Sequence, residues 1–305
     1  MAAPLVALPP SPDAPPLQWY RGCVRPIARR VRRAVLQAMI LTAGFPLVAH
    51  AQAAAGPNSG ALTFTGGLDF PTVYVFRGIV RETDPKLTMF PYGEIGIRLA
   101  SGSGAVKSVA ANVGVWNSLQ TGSSGSDGFT EHLHYEEDFY ATLSLGFSKN
   151  LSLGTTYTAY TSPNLMFDTV KEIGFNVAQS SWIHPYGVLA FEVGEHGIDG
   201  GQNNGTYLEL GAAPAFPFRK ATLSVPVKLG MSLANYYELN GVDHKFGFFD
   251  VGGLITMPLS GSSSKFGSWN IHGGVDFLAF GDTTKYFNQD DSSKVVGLVG
   301  IGVKY

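Results

Sequence analysis

The octapeptide "EHLHYEED" (Glu131–Asp138) holds the densest run of groups able to bind or transfer something. On an extended strand His132, His134, Glu136 and Asp138 alternate onto one face. Imidazoles beside carboxylates suit Zn²⁺ or another borderline metal. Same-face neighbours on a strand lie about 6.5–7 Å apart, so a tight site needs further ligands from adjacent strands. The spacing therefore favours a solvated, charged rim beside a polar loop, and no resident metal or cofactor is expected.

A second set of charges is dispersed. Arg77, Glu94, Arg98, Glu192, Glu209, Lys228, Asp250, His272 and Asp276 each fall, with Asp138, opposite the apolar residues of their own segments. Mixed signs in a narrow enclosure pair with one another; along a wet passage they select solutes. Nucleophile chemistry finds no setting. Ser123, Ser144 and Ser181 lie in no G-x-S-x-G, and there is no H-E-x-x-H or phosphate loop. The G-x-G of Gly102–Lys107 reads as a turn. No catalytic residue is expected.

Strands are the elements that would position these groups. In "KLTMFPYGEIGIRLA" Leu87, Met89, Ile95, Ile97 and Leu99 share one face, and Thr88, Tyr92, Glu94 and Arg98 the other. "EEDFYATLSLGF" and "WNIHGGVDFLAF" keep the same period of two, as do about twelve segments in all. Composition is 45% hydrophobic and only 14% charged, with Gly at 38 residues; soluble domains carry about 25% charge. Alternating segments of about ten residues are what a barrel strand needs to cross a bilayer. Short connections such as "SGSGA" and "SKN" take turns with long polar ones such as "GEHGIDGGQNNG". The exception is "LSGSSSKFGS", long where the rule wants a short turn.

The expected fold is all-β: a transmembrane antiparallel up-and-down β-barrel of about twelve strands over 52–305. A soluble β-sandwich is the alternative. Its first strand is read as "GALTFTGGLDFPTVYVFRG", with Leu62, Phe64, Leu68, Phe70, Tyr74 and Phe76 on the lipid side. Tyr157, Tyr160, Tyr207, Tyr236, Tyr237 and Trp269, near strand ends, are candidates for aromatic girdles.

Residues 1–51 read as a signal peptide. Arg21, Arg25, Arg29, Arg30, Arg32 and Arg33 form a basic region, Ala34–Ala49 an apolar core, and Ala49-His50-Ala51 a cleavage site. The leader is long, so Met1 need not be the true start. The only cysteine, Cys23, leaves with it, which removes disulfides and thiol chemistry from the mature chain. Past residue 51 acidic residues outnumber basic ones, which disfavours nucleic acid.

The chain closes on "VVGLVGIGVKY", with Gly297, Val299, Ile301, Val303 and Tyr305 on one face. It resembles the last strand of bacterial outer-membrane barrels, which ends on an aromatic residue read by the barrel-assembly machinery. "TVYVFRGIVRETDPKL" carries Tyr74, Phe76, Arg77 and Gly78 as Y-x-F-R-G, and "VGVWNS" adds a weaker echo. Together they resemble the first strands of a family of uncharacterised Gram-negative outer-membrane β-barrel proteins, with Thr72-Val73-Tyr74 in place of the usual S-x-Y. The resemblance implies the outer membrane, contact with its lipids and lipopolysaccharide, and no catalytic residues. A narrow porin-like channel for small polar solutes is the favoured expectation. A plugged barrel without transport stands beside it, and a lipid-modifying enzyme behind both. The oligomeric state is left open.

Overall fold

The computed structural model describes residues 61–82, 84–125, 127–194, 203–259 and 266–305, without the side chain of Lys149. The expected signal peptide lies outside the described residues. Antiparallel strands run in chain order as β1 (Leu62–Pro71), β2 (Thr88–Ser101), β3 (Val106–Gln120), β4 (His134–Phe147), β5 (Leu151–Thr161) and β6 (Val170–Gln179). They continue as β7 (Tyr186–Glu192), β8 (Thr206–Ala212), β9 (Val227–Ala234), β10 (Phe246–Pro258), β11 (Ser268–Phe280) and β12 (Ser293–Lys304). Each pairs with its sequence neighbours, and β12 returns to β1 in register from Thr65↔Lys304 to Pro71↔Leu298. The sheet is a closed twelve-stranded up-and-down barrel, the outer-membrane β-barrel fold.

Two strands are broken at prolines. Beyond Pro214 and Pro226 the chain extends β8 and β9 as a hairpin of Ala215–Phe218 and Ala221–Ser224, which still pairs with β10 at Thr222↔Thr256. Proline has no N–H for the ladder, so the pairing lapses there and resumes.

The wall is inverted relative to a soluble protein. Ile95, Val113, Phe139, Phe175, Val275 and Val299 point outward and are exposed, while Glu136, Asp138, Glu172, Glu192, Glu209 and Asp250 point inward and are buried. An exposed apolar belt of this extent needs lipid around it. Among the described residues no helix is long and apolar enough to cross a membrane; the strands do the crossing.

Long connections (72–87, 121–133, 162–169, 193–205, 235–245, 281–292) all emerge at one end of the barrel. Short ones (102–105, 148–150, 180–185) emerge at the other, with both ends of the barrel sequence. The connection that seemed too long, 259–267, falls on the short-turn side, largely outside the described residues.

The expected first strand is corrected. It stops at Pro71, and the alternation assumed beyond it does not continue. Tyr74 and Phe76 face the bore, 1% and 0% exposed, not lipid.

Candidate functional site

After Thr72 the chain leaves the wall, and residues 73–82 fold into the barrel. One end is pinned where Thr72 N–H donates to the Gly297 carbonyl (2.9 Å) and its hydroxyl accepts from Gly297 N–H (3.0 Å). At the other end Leu87 N–H donates to the Thr121 hydroxyl (2.9 Å) and Thr121 N–H to the Leu87 carbonyl (3.0 Å). Between these pins Val75–Phe76 pairs with Ile79–Val80 in a tight hairpin. Val73, Tyr74, Phe76, Arg77, Ile79, Arg81 and Glu82 are all buried.

Arg77 and Gly78 make the hairpin turn, with φ of 43° and 83°. Both lie in the left-handed region, which glycine tolerates and arginine enters at a cost. A Cβ on Gly78 would stand 2.7 Å from the Cβ of Phe248 on β10, so glycine also lets the turn meet the wall.

The hairpin spans the bore. On one side Tyr74 packs edge-on to Phe90 of β2 (5.1 Å), tilts against Trp116 of β3 (5.4 Å), and donates to Glu136 Oε1 of β4 (3.3 Å). On the far side the Arg77 guanidinium grips Glu172 of β6 with two bonds, Nη1 to Oε2 (2.8 Å) and Nη2 to Oε1 (2.9 Å). It also donates to Tyr236 Oη (2.7 Å) and lies over the Tyr207 ring of β8 at 4.0 Å. Two parallel charge-assisted bonds plus a cation–π face make this a strong, directional tether. Tyr207, Tyr236 and Tyr237 pack around it, Tyr237 edge-on to the other two rings. The first connection thus touches β2, β3, β4, β6, β8 and β10, and with Asn288 the β11–β12 connection as well. It forms a plug.

Carboxylates of the plug side are held differently. Glu82 accepts from the Thr88 hydroxyl (3.3 Å), and burial pushes its carboxyl above the ordinary range against the pull of its hydrogen bonds.

The other half of the bore, toward the short turns, is lined by polar groups most of which are only partly buried. Asn112 Nδ2 donates to Glu94 (2.9 Å), the hydroxyls of Thr142 and Thr156 meet at 2.8 Å, and His272 Nε2 meets Asp69 at 3.0 Å. Lys228 bridges Asp250 across β9 and β10 at 2.7 Å, with Asp276 of β11 nearby.

The residues singled out from sequence take varied places. Arg77 is central but sits on the plug, not on a strand. Glu209 faces inward and accepts from Tyr186 (2.8 Å) and Tyr207 (2.6 Å). Glu192 caps the outer end of β7, accepting from Gly205 N–H (2.7 Å). Arg98 is exposed near the short-turn rim.

The histidine–carboxylate cluster does not assemble. Ser118↔Glu136 and Leu119↔His134 are paired, so Tyr135 is an extra residue, a β-bulge. It swings the Tyr135 ring inward and turns His134 outward to Asn117 Oδ1 (2.9 Å), while His132 stays exposed in the loop. Glu136 and Asp138 keep the inward face. Among the described residues no three such side chains come together to hold a metal. The girdle expectation is corrected too: Tyr160, Tyr207, Tyr236 and Tyr237 are buried in the bore, whereas Tyr157 and Trp269 are exposed on the outer wall.

No protein-family model and no curated protein sequence matches the chain. Solved structures do resemble it. Outer membrane phospholipase A from Escherichia coli aligns at 12% identity and a TM-score of 0.44, over 79% of this chain and 89% of that one. The NanC porin aligns at 8% and 0.37, over 80% and 100%. The translocator domain of the autotransporter NalP from Neisseria meningitidis aligns at 12% and 0.37, over 94% and 98%. At such identities and scores they decide nothing about what this barrel does.

Sequence reasoning missed Glu172, although its parity in "VKEIGFNV" places it opposite Ile173, Phe175 and Val177. It missed Tyr236 as a tether because a tyrosine at a strand end looks the same whether it meets lipid or a guanidinium.

Proposed function

We propose that the protein is an outer-membrane barrel forming a narrow passage for small polar solutes, held shut by its own first connection. The long connections face the exterior and the short turns the periplasm, as in bacterial barrels. One observation carries the closed state: Arg77, hung between β1 and β2, is tied bidentately to Glu172 on the opposite wall. A segment fixed to both sides of a bore blocks it. The partly buried polar lining below, with Glu94, Asn112, Thr142 and Thr156, supports a wet vestibule open to the periplasm. The outer wall meets membrane lipids and lipopolysaccharide, and the Tyr305 strand is the address for the assembly machinery.

Planar-bilayer recording tests this. The wild-type barrel is expected to be silent or nearly so, and a variant with 73–86 replaced by a short Gly/Ser link to conduct steadily. Silence from the excised barrel, with folding verified by a heat-modifiable gel shift, identifies a scaffold instead of a channel.

A further inference from the structure

Two outer connections lock onto each other and onto the plug. From the β9–β10 connection, Tyr237 donates its hydroxyl to the Arg77 carbonyl (2.9 Å). From the short helix Asp282–Phe287, Thr283 donates to the Tyr237 carbonyl (2.7 Å) and Thr284 to the Gly247 carbonyl. Asn288, immediately after that helix, closes the circuit. Its Oδ1 accepts from Val80 N–H (2.7 Å) and its Nδ2 donates to the Gly78 carbonyl (2.8 Å).

Asn288 therefore grips the turn and the second strand of the plug hairpin while itself 4% exposed. The chain reaches the surface at once beyond it. Gln289 and Asp290 hold φ of 60° and 65°, the left-handed region, and Asp290 and Asp291 are exposed. Arg77, the other tether, is 2% exposed and ringed by Glu172, Tyr207 and Tyr236, all buried. An event at the outer surface can pull on Asn288 through its exposed neighbours, whereas Arg77 is joined to the β9–β10 connection through the buried Tyr236 and Tyr237.

We infer that the β11–β12 connection is a latch, and that Asn288 is the residue through which movement of the outer surface frees the plug. The latch builds on the closed-channel reading, but it can be tested without conduction. Ile79 is fully buried on the plug. An Ile79→Cys reporter, in chain expressed from residue 52 so that Cys23 is absent, reports plug displacement by its rate of reaction with a small thiol reagent.

Asn288→Ala removes two hydrogen bonds to the plug and is expected to raise the labelling rate about tenfold, with a like rise in time spent open. Asn288→Asp keeps the acceptor for Val80 but loses the donor to Gly78, and should fall between. Asp291→Asn, on the exposed stretch, should leave labelling unchanged. Wild-type labelling in both Asn288 variants, with the barrel folded by gel shift, overturns the latch. Should Asn288→Ala fail to assemble, Asn288→Asp carries the test alone. Faster labelling with no conductance from the plug-excised barrel would keep the latch and discard the channel.

Discussion

A guanidinium taken out of water is expensive unless its partners are in place, and Arg77 has them in Glu172, Tyr236 and the Tyr207 face. Removing one member leaves the other charge stranded, which costs about 3–5 kcal/mol for a buried pair. Replacing both with apolar side chains of similar size avoids that penalty. Arg77→Met alone should therefore loosen the plug strongly, seen as faster labelling of the Ile79→Cys reporter. Adding Glu172→Leu to it should recover much of the loss. If the double variant is as loose as the single, the pair is not what holds the plug. The hydroxyl of Tyr160, which donates to Glu172 Oε1 at 3.3 Å, limits the recovery because it then loses its acceptor.

Elements were legible wherever one rule governed them. Period two held along most of every strand because each separates lipid from bore, and a one-residue slip would exchange the two faces. The rule failed at Pro71 and at Tyr135. After Pro71 the chain continues to alternate in sequence, as "TVYVFRG", but the tertiary contacts of Arg77 draw it inside. At Tyr135 a bulge inserts one residue, so parity carried from Phe139 back to His134 gives the wrong face. Pro71 marks where the ladder can stop, but the inward turn after it depends on Glu172 and Tyr236 far along the chain, and the bulge depends on the register of β4 against β3. The plug also makes a prediction as an element. Loops are ordinarily the quickest segments to exchange amide hydrogens, yet here Arg81 N–H is bonded to the Tyr74 carbonyl (2.8 Å) and Val80 N–H to Asn288. Hydrogen exchange at Val80 and Arg81 should be as slow as in the barrel strands and slower than over 127–133. Fast exchange at these two amides would mean the plug is not seated most of the time.

On the scale of the whole molecule, closure of the cylinder matters more than any one luminal contact. Tyr305 and Phe64 exchange N–H and carbonyl bonds at 2.8 Å each, and the β1–β12 seam continues to Pro71↔Leu298. An open seam in hydrocarbon leaves a row of backbone groups without partners, each costing several kcal/mol. Ending the chain at Leu298 should therefore abolish the folded, heat-modifiable barrel both in cells and on refolding in detergent. Tyr305→Ala separates two roles of the same strand. It keeps the seam's backbone, so it should refold in detergent like the wild type. If the terminal ring is the assembly address, it should still reach the outer membrane in much reduced amount, and Tyr305→Phe should restore it. Equal membrane levels for all three would show that the ring serves the wall alone, and that strand pairing by itself suffices to build the barrel.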